Sequence, residues 1–426
     1  MHRKIASVFM NSGFFVVGCA MLALSNYGAK AADTVKYEAP CAGTGIFSAP
    51  EPLRQTVVIL DEASVGAGDA AQEKNTRITR TILQIVDGLT SQPSGNAALR
   101  ERVAIFLASA NGRELAPILI GCAATWSQDQ INNLAAGEST MTTFITGGVR
   151  KQIENARAGY ETALAGSIAA AIRTVAGENN GEPGAIIRAL QSNPQFIDPS
   201  GGVPRIVMIT PFRVSDDVAW PSEQVARKAG FEFANGLGLD LRRAEVHVIG
   251  VPQSAPANLR AFAEALFLPL RGFLAGWRAD GLPSLQRIPI EVRVFGGTVK
   301  MGEISAPVQV RIANDEEGNL VNSWIEVTTG QSKATPITGK ILCTDAMTCE
   351  VHGDGRYMGQ AWNPDTDNTP EFSPYFAWSG LRFFEMKIKG DAAVIKIWDP
   401  QAKIDLGDGE QDNILFEVAK TVGQTF

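Results

Sequence analysis

Apolar residues in this chain follow two rhythms. From residue 54 to about 284, unbroken apolar runs of strand length alternate with segments of helical period, and from about 287 onward every second residue is apolar. The first rhythm opens on Thr56 to Leu60, TVVIL, which suits a strand buried on both faces. Arg102 to Ser109, Leu115 to Ile120, Arg205 to Thr210 and Glu245 to Gly250 predict further strands. Between them, Ile78, Ile82, Leu83, Ile85 and Val86 predict a helix from Ala70 to about Leu89, capped by Asp69. Further helices are predicted over residues 146–176, 184–190, 222–235 and 259–279, the last carrying Trp277. This alternation implies parallel pairing and right-handed crossovers. The expected fold class is therefore α/β, a doubly wound and mostly parallel sheet with helices on both faces.

The second rhythm appears in Ile290 to Val294, Val308 to Ile312, Trp324 to Val327, Lys387 to Lys389 and Ala393 to Trp398. Period-two alternation gives each strand one dry face. With Gly, Pro, Asn and Asp in the gaps, residues 287–426 are expected to form a separate β-sandwich after an α/β domain over residues 54–284.

Ahead of both lies a segment that reads as an export signal over residues 1–31: basic Arg3 and Lys4, an apolar stretch from Phe14 to Leu24, then Ala29-Lys30-Ala31. An extended arm over residues 32–53 follows, and no transmembrane helix is expected in the mature chain. The predicted location is periplasmic or secreted. A second reading takes Val16-Val17-Gly18-Cys19 as a lipoprotein box with Cys19 lipidated, although the apolar run continues past Cys19. Four other cysteines remain, an even number in an exported chain, which favours disulfides. Local spacing pairs Cys343 with Cys349 across a hairpin and Cys41 with Cys122 between the arm and the α/β domain.

The chain has 426 residues, 45% hydrophobic and 19% charged, enough for two or three domains with ordinary cores. Its formal charge of −7 and the lack of clustered Lys and Arg argue against a nucleic-acid surface.

The first strand ends TVVILDEAS, placing Asp61 at its carboxyl end, where open α/β sheets bind ligands. With the RIVMIT strand ending in Thr210, the EVHVIG strand and the segment bearing LRAFAEAL and FLAGW, residues 54–282 resemble a von Willebrand factor A-like domain. The style is that of divergent A-like domains in bacterial exported proteins. The resemblance implies a divalent cation held by an Asp-x-Ser-x-Ser loop, a Thr from a second loop and an Asp from a third. Asp61 matches the first Asp, but Ala63 and Val65 stand at the two Ser positions, and Thr210-Pro211-Phe212 stands where the family often shows Thr-Asp-Gly. Ser64, Thr210 and Asp216 are the oxygens nearest to replacing the standard set, with Glu62, Asp217, Thr140, Thr142 and Thr143 as further substitutes. The competing reading is that Asp61 caps a turn through nearby backbone N–H groups.

Other segments carry weaker chemistry. Ser64 to Asp69, SVGAGD, could meet an anion with its backbone N–H groups but lacks nucleotide-loop spacing. Asp399, Asp405, Asp408 and Asp412 lie on one glycine-bearing stretch that faintly resembles the calcium loop of C2-type sandwiches, or forms a solvated loop. No cofactor is required by the sequence; Mg²⁺ or Ca²⁺ is what these two sites would take. Tyr357, Trp362 and Trp378, with Phe372, Tyr375 and Phe376, suit partner recognition or a satellite core. A hydrolytic triad lacks a GxSxG elbow, and His247 lies inside an apolar strand while His352 sits near Asp345 and Asp354. Asp61 with Asp216 and Asp217 is the carboxylate set for the alternative of an envelope-directed hydrolase. The expected role is non-catalytic: an adhesion or envelope-assembly protein that engages a protein partner through the carboxyl edge of the sheet, with Glu62 and Phe212 beside Asp61. An inert structural component is the third reading.

Overall fold

The computed structural model describes residues 38–39, 52–66, 71–90, 101–123, 126, 128–138, 147–175, 181–214, 220–283, 285, 287–301, 304–329, 331–356, 381–398 and 414–420. Seven strands form the first sheet: β1 (Glu38–Ala39), β2 (Arg54–Asp61), β3 (Glu101–Ala108), β4 (Leu115–Cys122), β5 (Val203–Ile209), β6 (Ala244–Ile249) and β7 (Gly272–Arg278). Their order is β1-β4-β3-β2-β5-β6-β7, parallel throughout except for the antiparallel pair β3–β4. Only residues 109–114 separate β3 from β4, too short for a parallel crossover of a dozen or so residues, so the chain turns back as a hairpin.

The helices are α1 (Gln72–Thr90), α2 (Gln128–Ala136), α3 (Gly148–Thr174), α4 (Ala185–Ser192), α5 (Glu223–Asn235) and α6 (Leu259–Phe267). The unbroken apolar character of β2 follows from its two covered faces. Val57 and Ile59 pack with Ile186, Leu190 and Phe262 of α4 and α6, while Val58 and Leu60 pack with Ile82 of α1 and Leu164 and Ile168 of α3. All four β2 side chains are fully buried, each worth about 1.5–3 kcal/mol relative to exposure. The closing helix expected over 259–279 stops at Phe267. Pro269 cannot continue a helix, and FLAGW becomes β7, paired with β6 from Ala244↔Gly272 onward.

The second rhythm forms β8 (Glu291–Met301), β9 (Ile304–Asn314), β10 (Ser323–Thr329), β11 (Gln331–Asp345), β12 (Thr348–Arg356), β13 (Leu381–Lys389), β14 (Ala392–Trp398) and β15 (Ile414–Lys420). The expected sandwich is instead a closed antiparallel barrel, completed where β15 pairs with β8 through Val418↔Gly297. One dry face per strand is satisfied equally by a second sheet or by a sheet curled onto itself. Curling here uses Gly339 and Gly353, which face each other across β11 and β12; a Cβ on either would lie 2.2 Å from a carbonyl oxygen of the opposite strand. Phe295, Val310, Ile325, Val351, Met386 and Ile395 fill the interior.

Both parts lie within one compact unit, Thr34–Phe426, and meet at the amino edge of the first sheet. Glu326 of β10 binds Arg243, just before β6, and Arg271, just before β7. The guanidinium of Arg243 lies 4.2 Å from the Trp324 ring centroid, and that of fully buried Arg311 lies 5.0 Å from it. Asn322 Nδ2 donates to Pro204 O at 2.9 Å, and Val203 packs with Ala313 and Val321. Arg243, Arg271 and Asn322 all have positive φ (62°, 57° and 46°), a costly conformation for non-glycine residues that this joint holds in place.

Candidate functional site

The order of the sheet reverses between β2 and β5, and their carboxyl ends bring Asp61 and Thr210 together across 149 residues. Thr210 Oγ1 donates to Asp61 Oδ2 at 2.6 Å and accepts from Phe212 N at 2.9 Å. Ala63 N donates to Asp61 Oδ1 at 2.9 Å, so Asp61 caps the short 3-10 turn Glu62–Ser64. Both carboxylate oxygens thus have protein donors. Burial, the largest influence, pushes the Asp61 carboxyl above its ordinary value of 3.8, with Glu62 adding to the rise and the Thr210 and Ala63 hydrogen bonds opposing it.

The neighbouring groups are committed as well. Glu62 Oε2 accepts from Ala110 N at 2.6 Å, tying the β2 loop to the β3–β4 hairpin. Ser64 Oγ donates to Ile209 O at 3.1 Å, which turns this hydroxyl onto β5. Gly181 approaches the same loop so closely that a Cβ there would lie 2.8 Å from Ala63 Cβ, and its φ of +65° suits glycine. Phe212, expected to meet a partner, is only 1% exposed; it packs against Phe267 and Trp277 at centroid distances of 5.9 and 5.4 Å and is a core residue.

Of the metal ligands named from sequence, the structure brings together one carboxylate and one hydroxyl, Asp61 and Thr210, already hydrogen-bonded to each other. Among the described residues no three His, Cys, Asp or Glu side chains converge as a metal site would need. Among the described residues, Asp61 and Thr210 alone do not make up the oxygen set that the A-like resemblance implies. Asp216, Asp217, Thr140, Thr142 and Thr143 lie outside the described residues, as do Asp399, Asp405, Asp408, Asp412, Tyr357, Trp362, Trp378, Asp69, Cys19 and Cys41. Cys343 and Cys349 form the expected disulfide, across a directly paired position of β11 and β12. Cys122 is also disulfide-bonded. No described helix is long and apolar enough to cross a membrane.

A second polar cluster, at the amino edge, was missed by the sequence reading. Four strands each bring one buried charge, in sheet order Glu101 (β3), Arg54 (β2), Arg205 (β5) and Glu245 (β6). Arg54 Nε binds Glu101 Oε2 at 2.7 Å, Thr56 donates to the other Glu101 oxygen, and Arg54 Nη1 reaches Arg287 O in the connection to the barrel. Arg205 lies 3.6 Å from Glu245, which also binds His247. Burial lowers the Arg54 pKa to about 10, assisted by Arg205 and opposed by Glu101. Burial alone would raise Glu245, but Arg205, His247 and Arg54 together bring it down to about 2. The available signal was a charged residue at or near the start of each apolar run. Which signs become neighbours depends on strand order.

No known family model matches this chain, and no curated protein matches it.

Proposed function

We propose that this chain is a non-catalytic exported binding protein, with a divergent A-like domain that engages a protein partner through the carboxyl edge of its sheet. The observation that carries this reading is the division of labour between the two sheet edges. The barrel's described contacts with the α/β part fall at the amino edge, through Arg243, Arg271, Pro204 and Val203. The opposite edge holds the switch point at Asp61 and Thr210, where doubly wound folds recognise ligands. The hydrogen bonds there fix the shape of the loops, so the recognition surface is preorganised and loses little entropy on binding. Around that rim, Asn111 and Arg113 of the β3–β4 turn and Glu182 are exposed.

Site-specific photo-cross-linking on the full chain in its producing cell tests this. A cross-linker at Arg113 or Glu182 is expected to give one discrete adduct that persists in chelator, whereas one at Lys387, on the barrel exterior, gives none. Adducts from Lys387 but none from the rim would overturn the reading. Adducts lost in chelator would restore a metal-assisted one.

A further inference from the structure

A groove lies beside that rim, between the first turns of α1 and the last turns of α3. It encloses about 930 Å³, within the size range of ligand clefts. Helix α1 leaves the carboxyl end of β2 and α3 ends shortly before Gly181, which touches the same β2 loop, so the groove opens onto the carboxyl edge. Gln72, Thr76, Arg80 and Leu83 line it from α1, at spacings that put them on one helix face, and Ile172 and Arg173 line it from α3. Asn75 holds the rim: its amide accepts from Gly66 N at 3.0 Å and donates to Gly66 O at 2.7 Å.

Two features define what this groove takes. Among the described residues that line it, the charged ones are Arg80 and Arg173, both basic, in a chain of net charge −7. Arg80 makes no hydrogen bond or ion pair among the described residues, and Arg173 commits only Nε, to Ala169 O at 3.2 Å, leaving both Nη groups. Guanidinium forks match carboxylates in a bidentate manner. Leu83, Ile172 and Val175 supply the apolar part of the wall. We infer that the α1–α3 groove binds an acidic peptide segment of the partner, its carboxylates on Arg80 and Arg173 and an aliphatic side chain against Leu83 and Ile172. The inference rests on the carboxyl-edge reading and names the chemistry of its partner. An open groove walled by two helices suits an extended chain more than an enclosed small molecule.

The test uses the full chain and fluorescein-labelled octapeptides with Asp or Glu alternating with Leu, read by anisotropy. Saturable binding is expected, weakening as salt rises from 50 to 300 mM. The Arg80→Glu/Arg173→Glu variant should weaken it at least about tenfold, and Thr76→Trp, which fills the groove, should weaken it similarly while the unfolding midpoint stays unchanged. Lysine-for-acid peptides should not bind. No saturable binding, equal binding to the Lys peptides, or equal binding by both variants overturns the inference. Failure of the groove is separable from failure of the edge: if the Arg113 and Glu182 adducts persist in Arg80→Glu/Arg173→Glu, the groove proposal falls and the edge reading stands.

Discussion

At opposite edges of one sheet, the buried acids Asp61 and Glu245 behave in opposite ways. At the carboxyl edge Asp61 is held by a hydroxyl and a backbone amide, and burial dominates, so its pKa rises. At the amino edge Glu245 stands beside two guanidiniums and a histidine, which outweigh burial together and bring it to about 2. The difference teaches how each edge is held. The amino edge contains full charges because it is a joint, in which Arg54, Arg243 and Arg271 reach onward to the barrel or its connection. The carboxyl edge relies on short neutral donors that set loop shape.

The contrast breaks most severely at the amino edge. Glu245→Leu removes the carboxylate that Arg205 and His247 share in a dry environment and should cost about 3–5 kcal/mol in urea unfolding, whereas Arg205→Met with Glu245→Leu should recover most of it. Equal costs for the single and double variants would show that the network is not electrostatic. At the joint, Glu326→Ala deprives Arg243 and Arg271 of their shared carboxylate and should cost less, about 2–3 kcal/mol, because Arg271 keeps access to water. Thermal unfolding, expected as one transition in the parent, should then split into two, as the barrel and α/β part lose their coupling.

At the carboxyl edge Thr210→Val removes a donor to Asp61 and an acceptor for Phe212 N, an expected loss of about 1–3 kcal/mol by urea unfolding. The Asp61 pKa should climb further, since the Thr210 hydrogen bond now lowers it. The smallest effect is in pH dependence, and the sign differs between edges. The folded pKa of Asp61 lies above its ordinary 3.8, so its contribution is fully present below pH 3.8 and is lost as pH rises through the raised value. Glu245 falls from 4.5 to about 2, so its contribution is present above pH 4.5 and lost as pH falls through about 2. Unfolding midpoints from pH 2 to 7 should therefore show less decline with rising pH in Asp61→Asn than in the parent. Loss of the acid limb is expected only in Glu245→Gln. Identical profiles for the two variants would remove the distinction between the edges.

Much of this was written in local pattern. Val57 to Leu60 announced a strand covered on both faces, the alternation after residue 287 announced strands with one dry face, and Cys343 and Cys349 lay close enough in sequence to be paired across a hairpin. Pro269 and Gly272 carried the end of α6 and the start of β7, a signal outweighed by the helical spacing of LRAFAEAL. Phe212 was expected at the partner-binding edge because it follows the end of a strand, whereas Phe267 and Trp277, which bury it, are far along the chain.

The sequence by itself determined the elements and their dry faces, because period and turn chemistry act over a few residues. It also placed Asp61 and Thr210 at strand ends. Tertiary structure decided the rest: that these two meet, that Glu101, Arg54, Arg205 and Glu245 pair across adjacent strands, and that the last eight strands close into a barrel. Each of these depends on which strands become neighbours, and a period-two pattern is blind to strand order.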